Sequence, residues 1–217
     1  MNQTTSHPNF NLESELLQQG YTYIAGIDEA GRGCLAGPLA VGIVMYDLKN
    51  LASLPKELLA NINDSKKLSS KKREYMHDFI KEQALLCETQ LVSHKIIDEK
   101  NINGATEYAI NTLLKKMKTR VPYPDIILLD GNFSFELAIP YQNVKMGDSM
   151  SISIASASIA AKVRRDSIIS KFDSIYSGYN FSKHKGYGTA EHRDLIIKIG
   201  PSPIHRISYG PIKSLIK

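Results

Sequence analysis

The sequence predicts an α/β fold in which a mixed β-sheet is flanked by helices. Short β-branched and aromatic segments alternate along the chain with longer amphipathic segments, which is the pattern of strands that alternate with helices. The chain has 217 residues, of which 42% are hydrophobic and 23% are charged. This length and composition suit one sizeable core and exclude a chain that is disordered throughout.

The first half of the chain contains three predicted strands and two predicted helices. A short amphipathic helix over 12–19 ends at Gly20, since glycine commonly follows a helix C-terminus. A second helix over 69–84 begins after Ser69, a residue type that caps the first turn. β-branched, aromatic and apolar residues predict strands over 21–28, 39–46 and 85–92.

The second half alternates in the same way. Apolar residues at helical spacing predict a helix over 104–118, which Pro122 and Pro124 bring to an end. The apolar run at 125–130 predicts a short strand. Small and aliphatic residues predict a long helix over 151–172 that packs closely against a neighbour. We expect the remaining residues to form helices and loops outside the sheet.

The positive charge is concentrated at the C-terminal end of the chain. The formal net charge is +5, but residues 1–161 carry 16 basic and 18 acidic side chains, whereas residues 162–217 carry 11 basic and 4 acidic ones. A basic segment of this kind is typical of proteins that bind a polyanion such as nucleic acid. The alternative interpretation is a solvated surface that keeps the protein in solution.

The sequence gives no sign of export or of membrane insertion. The N-terminal residues lack the basic and apolar regions of a secretory signal. The longest uncharged stretch, 33–46, is shorter than the ~20 residues that cross a bilayer. We therefore expect a cytoplasmic protein with no membrane contact. Cys34 and Cys87 have no CxxC partner and are expected to be free thiols.

Four carboxylates stand where predicted strands or helices begin or end. Asp28 and Glu29 follow an apolar strand directly before a glycine-rich turn, Asp130 ends another strand, and Asp148 precedes the long helix. Neighbouring strand residues point to opposite faces, so Asp28 and Glu29 serve one site only if the chain bends between them. The glycines that follow allow such a bend.

Carboxylates gathered at one edge of a sheet repel each other unless cations bind between them. Oxygen ligands favour Mg²⁺ or Mn²⁺ over zinc, and two such ions ~3.5–4 Å apart are suited to phosphodiester hydrolysis. Each acid taken alone has a structural alternative. Asp130 before Gly131 suits a turn, and Asp148 suits a helix cap.

The turn Gly31-Arg32-Gly33 belongs to a string that matches the dinucleotide-binding pattern G-x-G-x-x-G/A. That pattern requires a helix directly after it. Here Gly37, Pro38 and an apolar strand follow, so we reject a dinucleotide site. The remaining interpretation is a loop whose backbone N–H groups, together with Arg32, bind a phosphate or a sugar hydroxyl.

With further motifs in the same order, the chain resembles the prokaryotic ribonuclease HII family, the type 2 RNases H. The resemblance spans about residues 21–211, and the ordered series of motifs makes it very specific. The motifs are GIDEAGRGCLAGP at 26–38, DSKKLS at 64–69, IDEKNI at 97–102, LLDGN at 128–132, GDSMSISIASASIAAKVRRD at 147–166, HKGYGTAEH at 184–192 and GPSPIHRISY at 200–209.

The resemblance implies an RNase H-like mixed sheet with flanking helices and a helical C-terminal extension. It divides the chain into an N-terminal tail with a short helix at 1–20, a catalytic domain at 21–172 and a substrate-binding extension at 173–217. It also implies Mg²⁺ or Mn²⁺ as the cofactor. Four acids are implied as both catalytic residues and metal ligands: Asp28, Glu29, Asp130 and Asp148.

The implied activity is endonucleolytic cleavage of RNA in RNA–DNA hybrids and at ribonucleotides embedded in duplex DNA. Two-metal-ion catalysis would leave 3′-hydroxyl and 5′-phosphate ends, and we expect a monomer. The implied substrate-binding residues are a glycine loop that reads the 2′-hydroxyl, a tyrosine that stacks on deoxyribose, two lysines that contact phosphate, and one further lysine. They are Gly31, Arg32 and Gly33, then Tyr187, then Lys66 and Lys67, and finally Lys162. Solvated lysines and a structural tyrosine are the alternatives.

Three residues depart from the family pattern and affect local packing rather than the acids. Ser156 stands in a run usually written with alanines, Ala161 replaces a larger aliphatic residue, and Asn180 replaces a glycine. We expect a structural role for Asp166 through a pair with an arginine. Three histidines lack a compact metal-ligand spacing and are expected to be structural or to face phosphate: His184, His192 and His205.

Two other functions stay open at this point. One is a type 3 ribonuclease H, or another nuclease of this fold that acts on DNA junctions. Type 3 members carry a large N-terminal substrate-binding domain, whereas 20 residues precede the first predicted strand here. The other is a non-catalytic module that binds nucleic acid through its basic segment. The complete set of acids argues against that module.

Overall fold

A five-stranded mixed sheet lies at the centre of the fold, in the order β3-β2-β1-β4-β5. The computed structural model describes residues 7–62, 65, 68–119 and 122–215. The strands are β1 Ile24–Ala30, β2 Leu39–Met45, β3 Leu86–Val92, β4 Ile126–Asp130 and β5 Tyr141–Val144. The helices are α1 Asn11–Gln18, α2 Lys56–Asn61, α3 Ser70–Gln83, α4 His94–Met117, α5 Ile152–Ile175, α6 Phe181–His184, α7 Ala190–Ile199 and α8 Gly210–Leu215.

The strand directions confirm the predicted mixed sheet. Strands β1, β2 and β3 form an antiparallel meander, whereas β4 runs parallel to β1 and β5 runs parallel to β4. The two central parallel strands, β1 and β4, therefore end at the same edge of the sheet. The edge strand β5 was not predicted from the sequence.

The predicted helices are present, and α4 is longer than expected. It begins at His94, ten residues before the predicted start, and Ser93 caps it by accepting from the N–H of Ile96. Asn101 interrupts it with a φ of +57°. The Asn101 side chain then accepts from the N–H groups of Asn103 and Gly104, which starts the second helical segment.

The two faces of the sheet pack against different helices. Alternate residues of each strand point to opposite faces, so Ala25 and Ile27 of β1 pack with α4, whereas Ile24 packs with α1, α3 and α5. The side chains of β2 divide in the same way, since Ile43 packs on the face that carries α4 and Val44 on the face that carries α5. By the same alternation, Asp28 and Asp130 lie on the face of the sheet that packs against α5.

Helix α5 lies directly on the backbone of the two central antiparallel strands. A Cβ atom added to Gly26 of β1 would lie 2.2 Å from the carbonyl carbon of Ser153, and one added to Gly42 of β2 would lie 2.3 Å from the carbonyl oxygen of Ala157. The small residues of α5 face these glycines, as the predicted close packing requires. Ser156, a departure from the family pattern, hydrogen-bonds to the buried hydroxyl of Tyr46 at 2.8 Å.

The C-terminal helices α6, α7 and α8 form a small third core with the loop between β1 and β2. Leu35 and Ala36 of that loop are buried against Phe181 and Ile196 of the extension. Asn180, which stands where the family has glycine, adopts a φ of +58°, a conformation that asparagine tolerates better than most residues. Within the described residues, no helix is long and apolar enough to cross a membrane.

We predict that Gly42→Ala destabilises the protein without changing the site residues. The added methyl group would overlap the Ala157 carbonyl, and overpacking of this kind costs about 1–3 kcal/mol. Thermal unfolding should show a lower Tm, by about 2–4 °C for each kcal/mol. Gly210→Ala, where an added Cβ meets nothing within 4 Å, is the matched control. An unchanged Tm for Gly42→Ala would contradict the direct contact between α5 and the sheet.

Candidate active site

Three of the four predicted acids meet where the central parallel strands end. In the parallel register of β1 and β4, Ile27 lies beside Leu129, so Asp28 and Asp130 follow as the next pair. Asp148 approaches from the start of α5. One carboxylate oxygen from each of the three aspartates lies within 4.8 Å of the others. The structure therefore brings Asp28, Asp130 and Asp148 together as expected.

A short turn between β5 and α5 places Asp148 in this group. Residues Gly147–Ser149 form one turn of 3-10 helix, and the N–H of Gly147 donates to Oδ1 of Asp130 at 2.7 Å. Helix α5 is capped by Ser151, whose hydroxyl accepts from the N–H of Ile154 at 3.1 Å. Asp148 is therefore not the cap of α5, which removes its structural alternative.

The N-terminal segment holds the start of α5 in place. The Asn9 N–H donates to the carbonyl of Met150 at 3.1 Å, and the Ile152 N–H donates to the carbonyl of Asn9 at 3.0 Å. The buried carboxylate of Glu13 accepts from the Ser151 hydroxyl at 2.6 Å and from the Ser153 N–H at 3.1 Å. Burial raises the pKa of Glu13. Glu13 of α1 and the preceding Asn9 thus hold the residues that directly follow the turn that carries Asp148.

The electrostatics of the three aspartates favour a bound cation. Asp28 is buried, and its pKa is raised well above the usual range, first by burial and then by the negative charges of Glu29 and Asp130. A hydrogen bond from the Glu29 N–H at 2.7 Å and the Ser158 hydroxyl offset only part of this effect. Carboxylate oxygens from three separate elements suit Mg²⁺ or Mn²⁺, which would neutralise the repulsion.

Glu29 lies outside the group of three. Its Oε1 is 3.4 Å from Nε of Arg32, and Glu29 is not among the residues whose carboxylate oxygens lie within 4.8 Å of one another. Glu29 is nevertheless close enough to raise the pKa of Asp28. Its role as a fourth metal ligand stays a prediction.

The side chain of Arg32 is held against α4. Its Nη1 donates to Thr106 Oγ1 at 3.0 Å and its Nη2 donates to Asn103 Oδ1 at 2.6 Å. The guanidinium also lies over the ring of Phe133, 5.0 Å from the centroid. Arg32 therefore joins the end of β1 to α4 through its side chain, while its backbone belongs to the glycine-rich turn.

The two glycines of this turn differ in what surrounds them. Gly31 has a φ of +97°, and an added Cβ would lie 2.0 Å from Nε of Arg165, so both the backbone and the packing require glycine. Gly33 has no such requirement, since an added Cβ would meet nothing within 4 Å. The N–H of Cys34 donates to the Gly31 carbonyl at 3.4 Å and closes the turn. Strand β2, not a helix, follows, which confirms the rejection of a dinucleotide site.

Tyr187 and Lys162 lie together beside the glycine-rich turn. Tyr187 forms an isolated β-bridge with Cys34 and keeps 40% of its surface exposed. The Lys162 ammonium is 5.2 Å from the centre of the Tyr187 ring and 3.0 Å from Oδ1 of Asp166. Asp166 thus pairs mainly with this lysine rather than with an arginine, since Arg165 is farther away at 3.9 Å. Lys66 and Lys67, the predicted phosphate contacts, lie outside the described residues.

The three histidines are buried and pack together under the Tyr187 loop. His192 Nδ1 lies 2.9 Å from the Tyr187 carbonyl, and its Nε2 lies 3.1 Å from His205 Nε2. The Ser202 N–H donates to His205 Nδ1 at 2.8 Å. Burial lowers the pKa of both rings to about 4, so both are neutral at pH 7. They are structural, as is His184, which stacks on His192.

Sequence reasoning missed two buried arginines, Arg165 and Arg206, which are fully buried behind the glycine-rich turn. A signal was present for Arg165. It stands four residues after Ala161 and four before Ile169, and both of these face the interior of the molecule. Helical periodicity therefore placed Arg165 on the buried face of α5.

The fold is a mixed sheet whose parallel central strands end beside a group of three carboxylates. This arrangement defines a metal-dependent nuclease with the RNase H-like fold. The sequence pattern of the family described as ribonuclease HII matches residues 25–211. The chain therefore belongs to the ribonuclease HII family, as the motifs suggested, and it is an RNase H-type endonuclease that acts on RNA–DNA hybrids.

Known proteins agree with this assignment. The chain is 41% identical over 209 residues to ribonuclease HII of Acholeplasma laidlawii, which covers 96% of this chain and 98% of that protein. RNase HII from Archaeoglobus fulgidus, solved in complex with PCNA, has a TM-score of 0.71 at 24% identity and covers 89% of this chain and 97% of that chain. Bst-RNase HIII, solved with Mn²⁺, has a TM-score of 0.69 at 18% identity and covers 100% of this chain and 75% of that chain. The two structures support the fold.

We predict that Asp28→Asn raises the Tm of the metal-free protein. The folded pKa of Asp28 lies above the unfolded one, so its ionised form destabilises the folded state at neutral pH, and an amide removes that charge. The Tm in EDTA should rise by about 2–4 °C for each kcal/mol of repulsion relieved. Excess Mg²⁺ or Mn²⁺ should stabilise the variant less than the unmodified chain.

The exposed Asp194 in α7 provides the matched control for this charge removal. Asp194→Asn should leave both the metal-free Tm and the stabilisation by metal unchanged. If Asp28→Asn lowers the Tm in EDTA and binds the metal as before, the three aspartates do not form a repulsive metal site.

Proposed function

We propose that this enzyme nicks duplex DNA at single embedded ribonucleotides, in addition to cleaving the RNA strand of hybrids. The observation that carries the proposal is the placement of the aspartate group beside a turn with an open glycine, Gly33, and an exposed tyrosine, Tyr187. The aspartate group can hold the reacting phosphate, while Gly33 and Tyr187 contact the sugars on each side of it. Such an arrangement reads one ribose rather than a tract of RNA.

The metal ions would be held by Asp28, Asp130 and Asp148, with Glu29 as the fourth ligand. When bound, Mg²⁺ or Mn²⁺ supplies activation of the attacking water and stabilisation of the leaving 3′-oxygen, which gives 3′-hydroxyl and 5′-phosphate ends. The donor set fits these ions because it consists of carboxylate oxygens brought together from separate elements. The Mn²⁺ bound by Bst-RNase HIII, which has the same fold, supports the choice.

The backbone of the glycine-rich turn is suited to recognise the 2′-hydroxyl. Within the described part of the chain, the N–H groups of Arg32 and Gly33 donate no hydrogen bond. The open space at Gly33 lets a sugar approach these donors closely. A deoxyribose offers no oxygen there, so discrimination follows from an unsatisfied donor as well as from the lost bond.

Tyr187 and Lys162 complete the proposed substrate contacts. The exposed ring of Tyr187 offers a flat face for the deoxyribose next to the ribonucleotide, and we assign the contact with its phosphate to the nearby Lys162 ammonium. We assign the same phosphate role to Lys66 and Lys67 from the sequence. The positive charge of residues 162–217 adds attraction for the duplex that weakens with salt and ignores sequence. The monomeric state and the cytoplasmic location stay predictions.

The second candidate function is that of a type 3 RNase H. The observation behind it is the likeness of the fold to that of Bst-RNase HIII. Cleavage of hybrid tracts without cleavage at a single ribonucleotide would favour it. Both substrates therefore belong in the same assay, each with Mg²⁺ and with Mn²⁺.

We predict that the unmodified chain nicks a DNA duplex at its one ribonucleotide and that Asp130→Asn lowers this rate by more than about 100-fold, since an amide is a poor ligand for these ions. Gel analysis of a labelled strand measures the rate. Asp125→Asn is the matched control at the other end of β4, where the carboxylate accepts from the N–H groups of Thr22 and Tyr23. Absence of cleavage with both metals, or full activity of Asp130→Asn, would refute the proposal.

We predict that alanine affects catalysis at one glycine of the turn and stability at the other. Gly33→Ala should keep the Tm of the unmodified chain, because nothing in the protein meets the methyl group, but should lower kcat/KM about tenfold or more by obstructing the sugar. Gly31→Ala should lower the Tm, because it combines a strained φ with overlap on Arg165. Normal kinetics for Gly33→Ala would place the sugar elsewhere.

A further inference from the structure

Two guanidinium groups lie fully buried behind the loop between β1 and β2, and backbone carbonyls rather than carboxylates provide their hydrogen bonds. Arg165 comes from α5 and Arg206 from the segment before α8, and both have 0% of their surface exposed. Within the described residues, Arg206 has no carboxylate within 4 Å, and Asp166 is 3.9 Å from Arg165. A buried cation is costly unless its donors are satisfied, so these carbonyls are essential partners.

The bonds from Arg206 converge on the two ends of the glycine-containing loop. Its Nε and Nη2 both donate to the carbonyl of Gly37 at 3.1 Å. Its Nη1 donates to the carbonyl of Arg32 at 2.8 Å and to the hydroxyl of Tyr209 at 2.9 Å. The Tyr209 hydroxyl in turn donates to the same Arg32 carbonyl at 2.6 Å. The Arg32 carbonyl thus receives two hydrogen bonds.

Arg165 secures the other side of the same loop. Its Nε donates to the carbonyl of Pro38 at 3.0 Å, and its Nη2 donates to that of Ala36 at 3.3 Å. Its Nη1 donates to the carbonyl of Lys185 at 2.9 Å, two residues before Tyr187. One side chain therefore ties the β1–β2 loop to the Tyr187 loop.

The geometry of the peptide bond gives the Arg32 carbonyl a particular importance. The carbonyl of Arg32 and the N–H of Gly33 belong to one planar trans unit, so they point in opposite directions. Arg206 and Tyr209 hold the carbonyl towards the interior of the molecule, and the Gly33 N–H must therefore point the other way. Gly33 is exposed, and an added Cβ there meets nothing within 4 Å, so the surface beside this peptide is open.

We propose that Arg206 and Tyr209 are positioning residues, which orient the Arg32–Gly33 peptide so that its N–H donates to the 2′-hydroxyl of the substrate. This inference rests on the proposed function, because it concerns how the same turn recognises a ribonucleotide. Arg206 supplies the buried charge, and Tyr209 adds a second donor to the Arg32 carbonyl. The pair acts through the backbone and contacts no substrate atom itself.

Tyr209→Phe is the test variant, because it removes the hydroxyl that donates to the Arg32 carbonyl and accepts from Arg206, while Arg206 Nη1 still donates to that carbonyl. Tyr179→Phe is the matched control. The Tyr179 hydroxyl donates to the Gly200 carbonyl at 2.6 Å, a bond of equal length in the same C-terminal extension to a carbonyl outside the turn. Both variants lose one bond from a tyrosine hydroxyl to a backbone carbonyl, and Tyr209→Phe also loses the bond from Arg206 Nη1 to that hydroxyl.

Three measurements on both variants separate positioning from stability. For Tyr209→Phe, we expect kcat/KM on the single-ribonucleotide duplex to fall about 3- to 10-fold, which corresponds to the usual worth of one hydrogen bond. Inhibition by an all-DNA duplex should stay unchanged, since that duplex has no 2′-hydroxyl. The amide resonance of Gly33, assigned among the 14 glycines with Gly33→Ala, should shift. Tyr179→Phe should leave the kinetics and the Gly33 resonance unchanged.

The outcomes distinguish this inference from the proposed function. If the unmodified chain nicks the substrate but Tyr209→Phe behaves like Tyr179→Phe in kcat/KM and in the Gly33 resonance, the positioning role is wrong. A parallel loss of all-DNA binding would also overturn it, because it would show a general disturbance of the surface. If the unmodified chain does not nick the substrate and the Gly33 resonance still shifts in Tyr209→Phe, the proposed function is wrong while the orientation of the peptide is supported.

Discussion

The contact between α5 and the two strand glycines is the constraint on which the rest of the structure depends. Because Gly26 and Gly42 carry no side chain, the helix lies on the backbone of β1 and β2 and its axis is fixed relative to the sheet. The first turn of α5 follows Asp148, and its later turns carry Lys162 and Arg165. One helix therefore sets the distance from the acids to the glycine-rich turn.

Much of the fold was predictable because its signals are local. The apolar segments of β1, β2 and β4, the cap Ser69 and the small residues of α5 each determine structure within a few residues. Strand β5 was missed because it lies at the edge of the sheet, where only Val144 is buried, and its pairing with β4 arises from residues distant in sequence. The early start of α4 was missed because Asn101 interrupts its periodicity.

The site was predicted in part for a related reason. Asp28, Asp130 and Asp148 converge because strand ends and helix starts meet at one sheet edge, a geometry that topology determines. The orientation of Glu29 depends on its pairing with Arg32. Buried charges such as Glu13 and Arg206 escape a sequence-based interpretation, because charged residues are usually exposed and only the tertiary contacts show what satisfies them.

The hydrogen bonds of His192 and His205 all run in one direction through the C-terminal extension. The Ser202 N–H donates to His205, so His205 must donate to His192, and His192 in turn must donate to the Tyr187 carbonyl. The protons on both rings are thereby set in a single direction, from one loop to the other. Neither loop can shift alone without leaving a ring nitrogen without its hydrogen-bond partner. The pair of imidazoles therefore couples the positions of the two loops.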